Sequence, residues 1–172
     1  MSKIINEYRT VEMPGDFVVF LIGMRINKFW KPWKWMPIAA AMPRMLTQLA
    51  EHPDLGLLHA RSHFGVRNVM VLQYWESFEK LHAFSRNPEL SHIPAWQSFN
   101  RAVKNNGDVG IWHETFMVRA GEYECIYGNM PLYGLGQAGV SLPAVGNLRQ
   151  AKDRLHHLQE RASMTQEQQT VG

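Results

Sequence analysis

Residues 17–26 read FVVFLIGMRI. The run is rich in Phe, Val and Ile. Val18, Phe20 and Ile22 fall on one face, and Phe17, Val19 and Leu21 on the other. A strand apolar on both faces is covered on both sides. After it, residues 27–37 (NKFWKPWKWMP) carry Pro32 and Pro37 and read as an irregular excursion. A helix is then expected from near Pro43, which a first turn tolerates. Met42, Leu46 and Leu49 share its face, and it ends before Pro53.

Residues 57–63 and 68–75 read as two strands joined around Phe64-Gly65, a hairpin signal. Glu76-Ser77 leads into a helix carrying Phe78, Leu81 and His82, and Asn87-Pro88 breaks it. Ser91 is placed to cap a second helix with Pro94 in its first turn. On it, His92, Trp96, Phe99 and Val103 form one apolar stripe. Asn106-Gly107-Asp108 reads as a turn. Residues 109–118 and 123–127 read as strands separated by Ala120-Gly121. The order β, α, β, β, α, β, with one extra strand, is a ferredoxin-like α+β plan: an antiparallel sheet with helices on one face. The other sheet face is also apolar, and a second copy of the chain in a twofold homodimer is the economical cover.

Length and composition agree with one domain and a small appendage. The chain has 172 residues, of which 45% are hydrophobic and 19% charged, which excludes disorder throughout. We expect the ferredoxin-like domain over 1–128, a Gly/Pro-rich wrap and C-terminal helix over 129–162, and a disordered tail over 163–172. Leu148, Ala151, Leu155 and Leu158 mark the helix. One cysteine, Cys125, excludes an internal disulfide framework and Cys-based clusters. The opening MSKIINEYRT has no apolar core, so no signal peptide is expected, and a cytoplasmic location follows as the default. A net charge of +3 is too small to argue for nucleic acid.

Several constellations compete with plainer readings. Gly134-Leu135-Gly136-Gln137-Ala138-Gly139 matches G-x-G-x-x-G, but Pro143 interrupts the required helix and no parallel strand follows, so a flexible loop is the better reading. His59 and His63 lie about 13 Å apart on a strand, too far for one metal ion. His92 sits on an apolar stripe near a helix start, where a neutral imidazole is favoured, suited to haem iron or to a general-base role. Its plainer reading is a core histidine bonded to backbone. His113 and Glu114 fall on opposite faces of a strand and cannot pair directly. Trp112, Glu114 and Phe116 share one face; His113, Thr115 and Met117 share the other. Glu114 needs a partner between its aromatics, with Arg25, Arg44 and Arg67 as candidates. Tyr123-Glu124 poses the same question. The segment around Trp30, Trp33 and Trp35, with Lys28, Lys31 and Lys34, admits weak membrane-surface contact. Its plainer readings are a flap or a dimer loop.

The run Tyr74-Trp75-Glu76-Ser77-Phe78-Glu79, continuing to Phe84, Asn87-Pro88, His92 and Trp96, resembles the signature of the antibiotic-biosynthesis-type monooxygenase superfamily. Arg25-Ile26-Asn27, Met42-Pro43-Arg44-Met45-Leu46, Gly110-Ile111-Trp112-His113-Glu114 and Tyr123-Glu124 through Pro131 are similar to one largely uncharacterised branch, which includes a fumagillin-pathway monooxygenase. The resemblance runs from about Met13 to Ala138. It implies a dimeric α+β barrel with a pocket between helices and sheet. It implies either cofactor-free oxygenation of an electron-rich substrate, or haem held by a histidine at the position of His92.

Together these readings point to a monooxygenase acting on a small apolar or aromatic molecule, with either no cofactor or haem. His92, His113 and Glu114 are the catalytic candidates, with His92 the iron ligand in the haem case. Arg25, Arg44, Trp75, Trp96, Phe99, Trp112 and Tyr123 are the pocket candidates, along with Phe20 and Met117. The alternatives are a haem protein of dehydratase or haem-degrading type and a non-catalytic ligand-binding or membrane-surface dimer.

Overall fold

The run at residues 17–26 forms a strand, and a four-stranded sheet is organised around it. The computed structural model describes residues 3–87 and 106–170. The expected helix from Ser91, with His92, Trp96, Phe99 and Val103, lies outside the described residues. The chain divides into two compact units, Val18–Phe116 and Met1–Phe17 with Met117–Gly172.

In the first unit the elements run β2 (Phe17–Ile26), α1 (Pro32–Glu51), β3 (Leu57–Phe64), β4 (Asn68–Trp75), α2 (Phe78–Arg86) and β5 (Val109–Val118), with β1 (Arg9–Glu12) belonging to the other unit. The sheet order is β3-β4-β2-β5, so the first and third strands of the motif are central. This is the ferredoxin-like arrangement. β2 and β4 pair antiparallel, with Val18 opposite Trp75, Phe20 opposite Gln73 and Ile22 opposite Val71. Those residues face the helices. Val19, Leu21 and Gly23 lie opposite Tyr74, Leu72 and Met70 on the other face. β3 pairs with β4 through a register shift between Leu57 and His59. The extra residue keeps Leu57 beside Trp75 yet turns His59 to the face of Tyr74.

Trp75 is fully buried and sits among Val18, Met45, Leu49, Leu81 and Phe84. Its ring lies 5.6 Å from that of Phe84. α2 begins where Ser77 Oγ accepts a hydrogen bond from Lys80 N, satisfying one free donor of the first turn. α1 begins eleven residues before the expected Pro43, and residues 32–37 are helical rather than irregular. Both internal prolines, Pro37 and Pro43, lie on its exposed side. Each removes a helix hydrogen bond at a cost of roughly 3 kcal/mol. A buried stripe carries the helix through: Trp35, Ile38 and Ala39 pack on Met24, Ile26 and Val109, then Met42, Met45, Leu46 and Leu49 on the Trp75 cluster.

The approach to α1 is pinned by Asp108. Its carboxylate is almost fully buried and takes Lys28 Nζ at 2.7 Å and Lys31 Nζ at 3.1 Å. Its carbonyl accepts from Asn27 N and Lys28 N. Gly107, at φ 70°, and the Asn106 side chain, which accepts from Asp108 N, form the expected turn. Two of the cations near the tryptophans therefore share one buried carboxylate. Trp30 and Trp33 stay exposed, while the Trp35 indole donates to Phe29 O.

In the second unit, β1 (Arg9–Glu12) pairs antiparallel with β6 (Val140–Pro143). Neither strand was expected: four residues are too few to establish an alternation. Residues 123–127 are not the expected strand, and only Tyr127 bridges to Arg9. Gly134–Gln137 is a 3-10 turn feeding β6, which removes the dinucleotide reading. A Cβ on Gly139 would lie 2.7 Å from Val11 and 2.8 Å from the Glu12 carbonyl, so close strand packing explains that glycine. Helix α3 (Ala151–Thr170) is longer than its apolar stripe suggests and passes through residues expected to be disordered. It is tied down by buried Arg154, which donates to the carbonyls of Leu148 and Arg149 and pairs with Glu124. Glu124 is thus a structural ion-pair partner.

The hydrogen bond from Lys28, with that from Lys31, holds the Asp108 carboxyl below the usual carboxylate range. A depressed carboxylate contributes stability at neutral pH that is lost as pH falls through its folded-state value. Asp108→Asn is expected to lower Tm at pH 7 and to flatten the fall in Tm below about pH 4. Thermal melts of both proteins from pH 2.5 to 7 check this; parallel profiles would refute it.

Candidate functional site

Between α1, α2 and the sheet lies a cavity of about 40 Å³. Phe20, Ile22, Gln73 and Trp75 form its floor. Met42, Met45, Leu46 and Leu49 close it from α1, and Leu81, Phe84 and Ser85 from α2. The walls are apolar because this is where the sheet meets its helices. Two methionines among them make the walls adaptable, since an unbranched thioether changes rotamer readily.

The polar groups in the lining are few. Gln73 is 4% exposed, and its Oε1 accepts the Trp75 Nε1–H hydrogen bond at 2.8 Å. Ser85 Oγ donates to the His82 carbonyl at 2.8 Å. Nothing in the sequence reading singled out Gln73. The signal was available: β-strand alternation puts residue 73 on the same face as Trp75, and an amide there sits in an otherwise apolar row.

Of the sequence candidates, Trp75 and Phe20 line this cavity. His113 contacts the Phe20 ring, with centroids 5.7 Å apart, which places it on the helix side of the exposed strand β5. Glu114 and Trp112 face the other way. The Trp112 indole lies on Gly23, where an added Cβ would come within 2.7 Å of it. Glu114 is exposed and has no ion pair among the described residues. Arg25 is exposed on that same face and donates to Asn68 Oδ1. Arg67 donates to the carbonyl of Asn27. Arg44 is exposed on α1, in an open depression with Thr47, Gln48, Glu51 and His52. Tyr123 belongs to the other unit, where its Oη accepts from Met13 N at 2.6 Å and its ring meets Phe17 edge-on. Burial pushes its phenol up to about 12, so it stays protonated. Met117, also in that unit, is exposed. His92, Trp96 and Phe99 lie outside the described residues.

No group of three or more His, Cys, Asp or Glu among the described residues could hold a metal ion. The described cavity lining also carries no histidine, cysteine or tyrosine to ligate a haem iron. Those residues do not fit a haem. No helix among the described residues is long and apolar enough to cross a membrane.

The face away from the helices has its own chemistry. The register puts His59, Arg61 and His63 opposite Tyr74, Leu72 and Met70. Nε2 of His59 is buried and makes no hydrogen bond among the described residues. Desolvation first, and the charge of Arg61 second, hold its imidazole below the ordinary histidine range. The unfolded chain therefore takes up a proton at His59 before the folded one does, and stability falls as pH drops through about 6.5. His59→Gln is expected to flatten the decline in Tm between pH 7 and 5. An unaltered slope would mean that His59 titrates as it does in the unfolded chain.

Residues 17–135 match the family model described as Monooxygenase af470-like. The chain is 28% identical over 170 residues to Monooxygenase af470 of Aspergillus fumigatus, covering 83% of this chain and 58% of that protein. It therefore spans less than two thirds of that relative's length. Among solved structures it is similar to SnoaB, a cofactor-independent oxygenase from Streptomyces nogalater, with 13% identity and a TM-score of 0.44, covering 60% of this chain and 94% of that one. It is also similar to a dimeric ferredoxin-like protein of unknown function from Jannaschia sp. CCS1, with 18% identity and a TM-score of 0.41, covering 56% and 97%.

Proposed function

The chain belongs to the af470-like monooxygenase family, and from that premise we propose that it oxygenates a small apolar or aromatic molecule in the cavity between α1, α2 and the sheet. The observation that carries this reading is the cavity itself: an apolar chamber with adaptable walls and one buried amide in its floor. Such chambers suit small-molecule sites, although occupied ones usually measure roughly 300–1,000 Å³. A substrate of more than a few heavy atoms therefore displaces Met42 and Met45 as it enters.

The reading favours chemistry without a cofactor, in which the substrate supplies the electrons. A methylene next to a carbonyl or an electron-rich ring loses a proton to His113, whose ring lies against the cavity-lining Phe20. The carbanion passes electrons to dioxygen, and a C–O bond forms to give a peroxide. Loss of the second proton breaks the O–O bond, a carbonyl forms, and the departing oxygen leaves as water. One CH₂ and one O₂ thus become one C=O and one H₂O. The wall of Phe20, Trp75 and Phe84 keeps bulk water from the anion.

Oxygen-electrode screening of phenols and cyclic ketones, with ¹⁸O₂ incorporation as confirmation, tests the activity. His113→Ala is expected to lower turnover by about 10²-fold or more while the fold is retained. Glu114→Gln, on the opposite face, is expected to stay within about threefold of wild type, because it cannot reach the same cavity. Equal losses in both variants would sink the assignment. A Soret band in the purified protein that disappears in His92→Ala would replace this chemistry with haem chemistry.

We further propose that the protein is a homodimer built on β5 and the open sheet face. β5 is an edge strand that exposes apolar groups on both faces, including Ile111 at 48% and Phe116 at 50%. Val19, Leu21, Met70 and Leu72 continue the apolar surface across the open face. An exposed apolar edge of this kind requires cover, and a second copy supplies a matching surface by twofold symmetry. Phe116→Lys is expected to convert the dimer to monomer in sedimentation velocity runs at micromolar concentration. A wild-type protein that sediments as a monomer would overturn the proposal.

A further inference from the structure

Gln73 contradicts its surroundings. It is 4% exposed on the cavity floor, with Phe20 opposite it across the β2–β4 ladder and Trp75 two residues along its own strand. An amide carries one acceptor oxygen and a two-donor NH₂ group, and either end could face a ligand if the group were free to flip. Here it is not free. The indole N–H of Trp75 can only donate, so the 2.8 Å contact takes the oxygen. What remains for the cavity is the NH₂ group, which has no assigned acceptor among the described residues. The other polar group in the lining, Ser85, already donates its proton to the His82 carbonyl. Among the described residues the cavity thus has one strong donor, held in orientation by a fully buried ring.

We infer that Gln73 anchors the substrate by donating to an oxygen, and that the substrate is accordingly a ketone, or a phenol bound as its phenolate, whose oxygen sits beside an apolar body. This rests on the reading of the cavity as the substrate site. A donor turned into an apolar cavity gains from an acceptor there, and a carbonyl or phenolate oxygen supplies one without bringing a donor of its own. The same bond acts in the reaction. When the neighbouring carbon gives up its proton, negative charge collects on that oxygen, and a donor fixed in a dry site stabilises it more than the neutral carbonyl. Gln73 is thereby a determinant of which molecules enter and which of their carbons is activated.

The test uses acetophenone and α-methylstyrene, which have nearly the same shape and differ in C=O against C=CH₂. The readouts are the ¹H–¹⁵N signals of the Trp75 indole, assigned with Trp75→Phe, and of the Gln73 side-chain amide, assigned by its contact with that indole and by its absence in Gln73→Met. Acetophenone is expected to move the amide protons downfield and α-methylstyrene to leave them in place. The binding preference for acetophenone is expected to fall about tenfold in Gln73→Met, a comparison in which the hydration of the two probes cancels. The spectra of the wild-type protein decide the matter even if the variant folds poorly. If both probes shift the Trp75 indole but the Gln73 amide does not distinguish them, the anchoring role is wrong and the cavity stands as the binding site. If neither probe moves the Trp75 indole at millimolar concentration, the cavity is not a ligand site and the inference falls with it.

Discussion

Trp75 has to bury a large ring and satisfy one N–H at the same point. The sheet-bearing unit is organised by how it does both. The ring is fully buried where β4 ends, and β2, α1 and α2 all supply side chains to cover it. The N–H bonds Gln73, two residues back on the same strand face. The first requirement brings two helices onto one face of the sheet. The second puts an amide among apolar walls, because a buried indole donor without an acceptor costs about 1–3 kcal/mol. Core packing and cavity chemistry thus share one residue. Truncating Trp75 would open a void and release the amide together, so its loss cannot be read as a packing effect alone.

Much of this unit was legible in the chain. The two-faced run at 17–26, the hairpin around Phe64-Gly65 and the helix after Ser77 have strong local signals, and each forms where expected. The opposed orientations of His113 and Glu114 follow from strand alternation alone. α1 was half hidden. Its stripe, Trp35, Ile38/Ala39, Met42, Met45/Leu46 and Leu49, is helical in period throughout, but Pro37 and Pro43 argue locally for a break. The long contact with the sheet outweighs them, and neither proline points inward. The bulge between Leu57 and His59 has no local signature. β1 and β6 are visible only as a pair, a long-range fact that four residues cannot announce.

The candidate site was legible in part, for a related reason. Aromatic and histidine residues attract notice by type, yet the sheet distributes them. Trp75 goes to the helix side, Trp112, Glu114 and Arg25 to the other face, and Tyr123 to the other unit. Gln73 is unremarkable as a letter and becomes informative only once its neighbours are known to be apolar. The basic, tryptophan-rich stretch shows the converse. Lys28 and Lys31 suggest an anion or membrane contact in the sequence, while the fold directs both to Asp108. They hold the entry to α1 in place, sharing the single Asp108 carboxylate between them.

The two faces of the sheet do different work, and β5 belongs to both. Its alternation sends His113 toward the helices and Trp112 and Phe116 away from them. Any cover laid on the outer face therefore meets the same strand that presents the candidate base. Gly23 enforces this coupling. Only a residue without a side chain lets the Trp112 ring lie flat on β2, and that seat helps to set how β5 runs beside its neighbour. Adjacent residues on one strand point in opposite directions, so the outer face and the candidate base share one stretch of backbone.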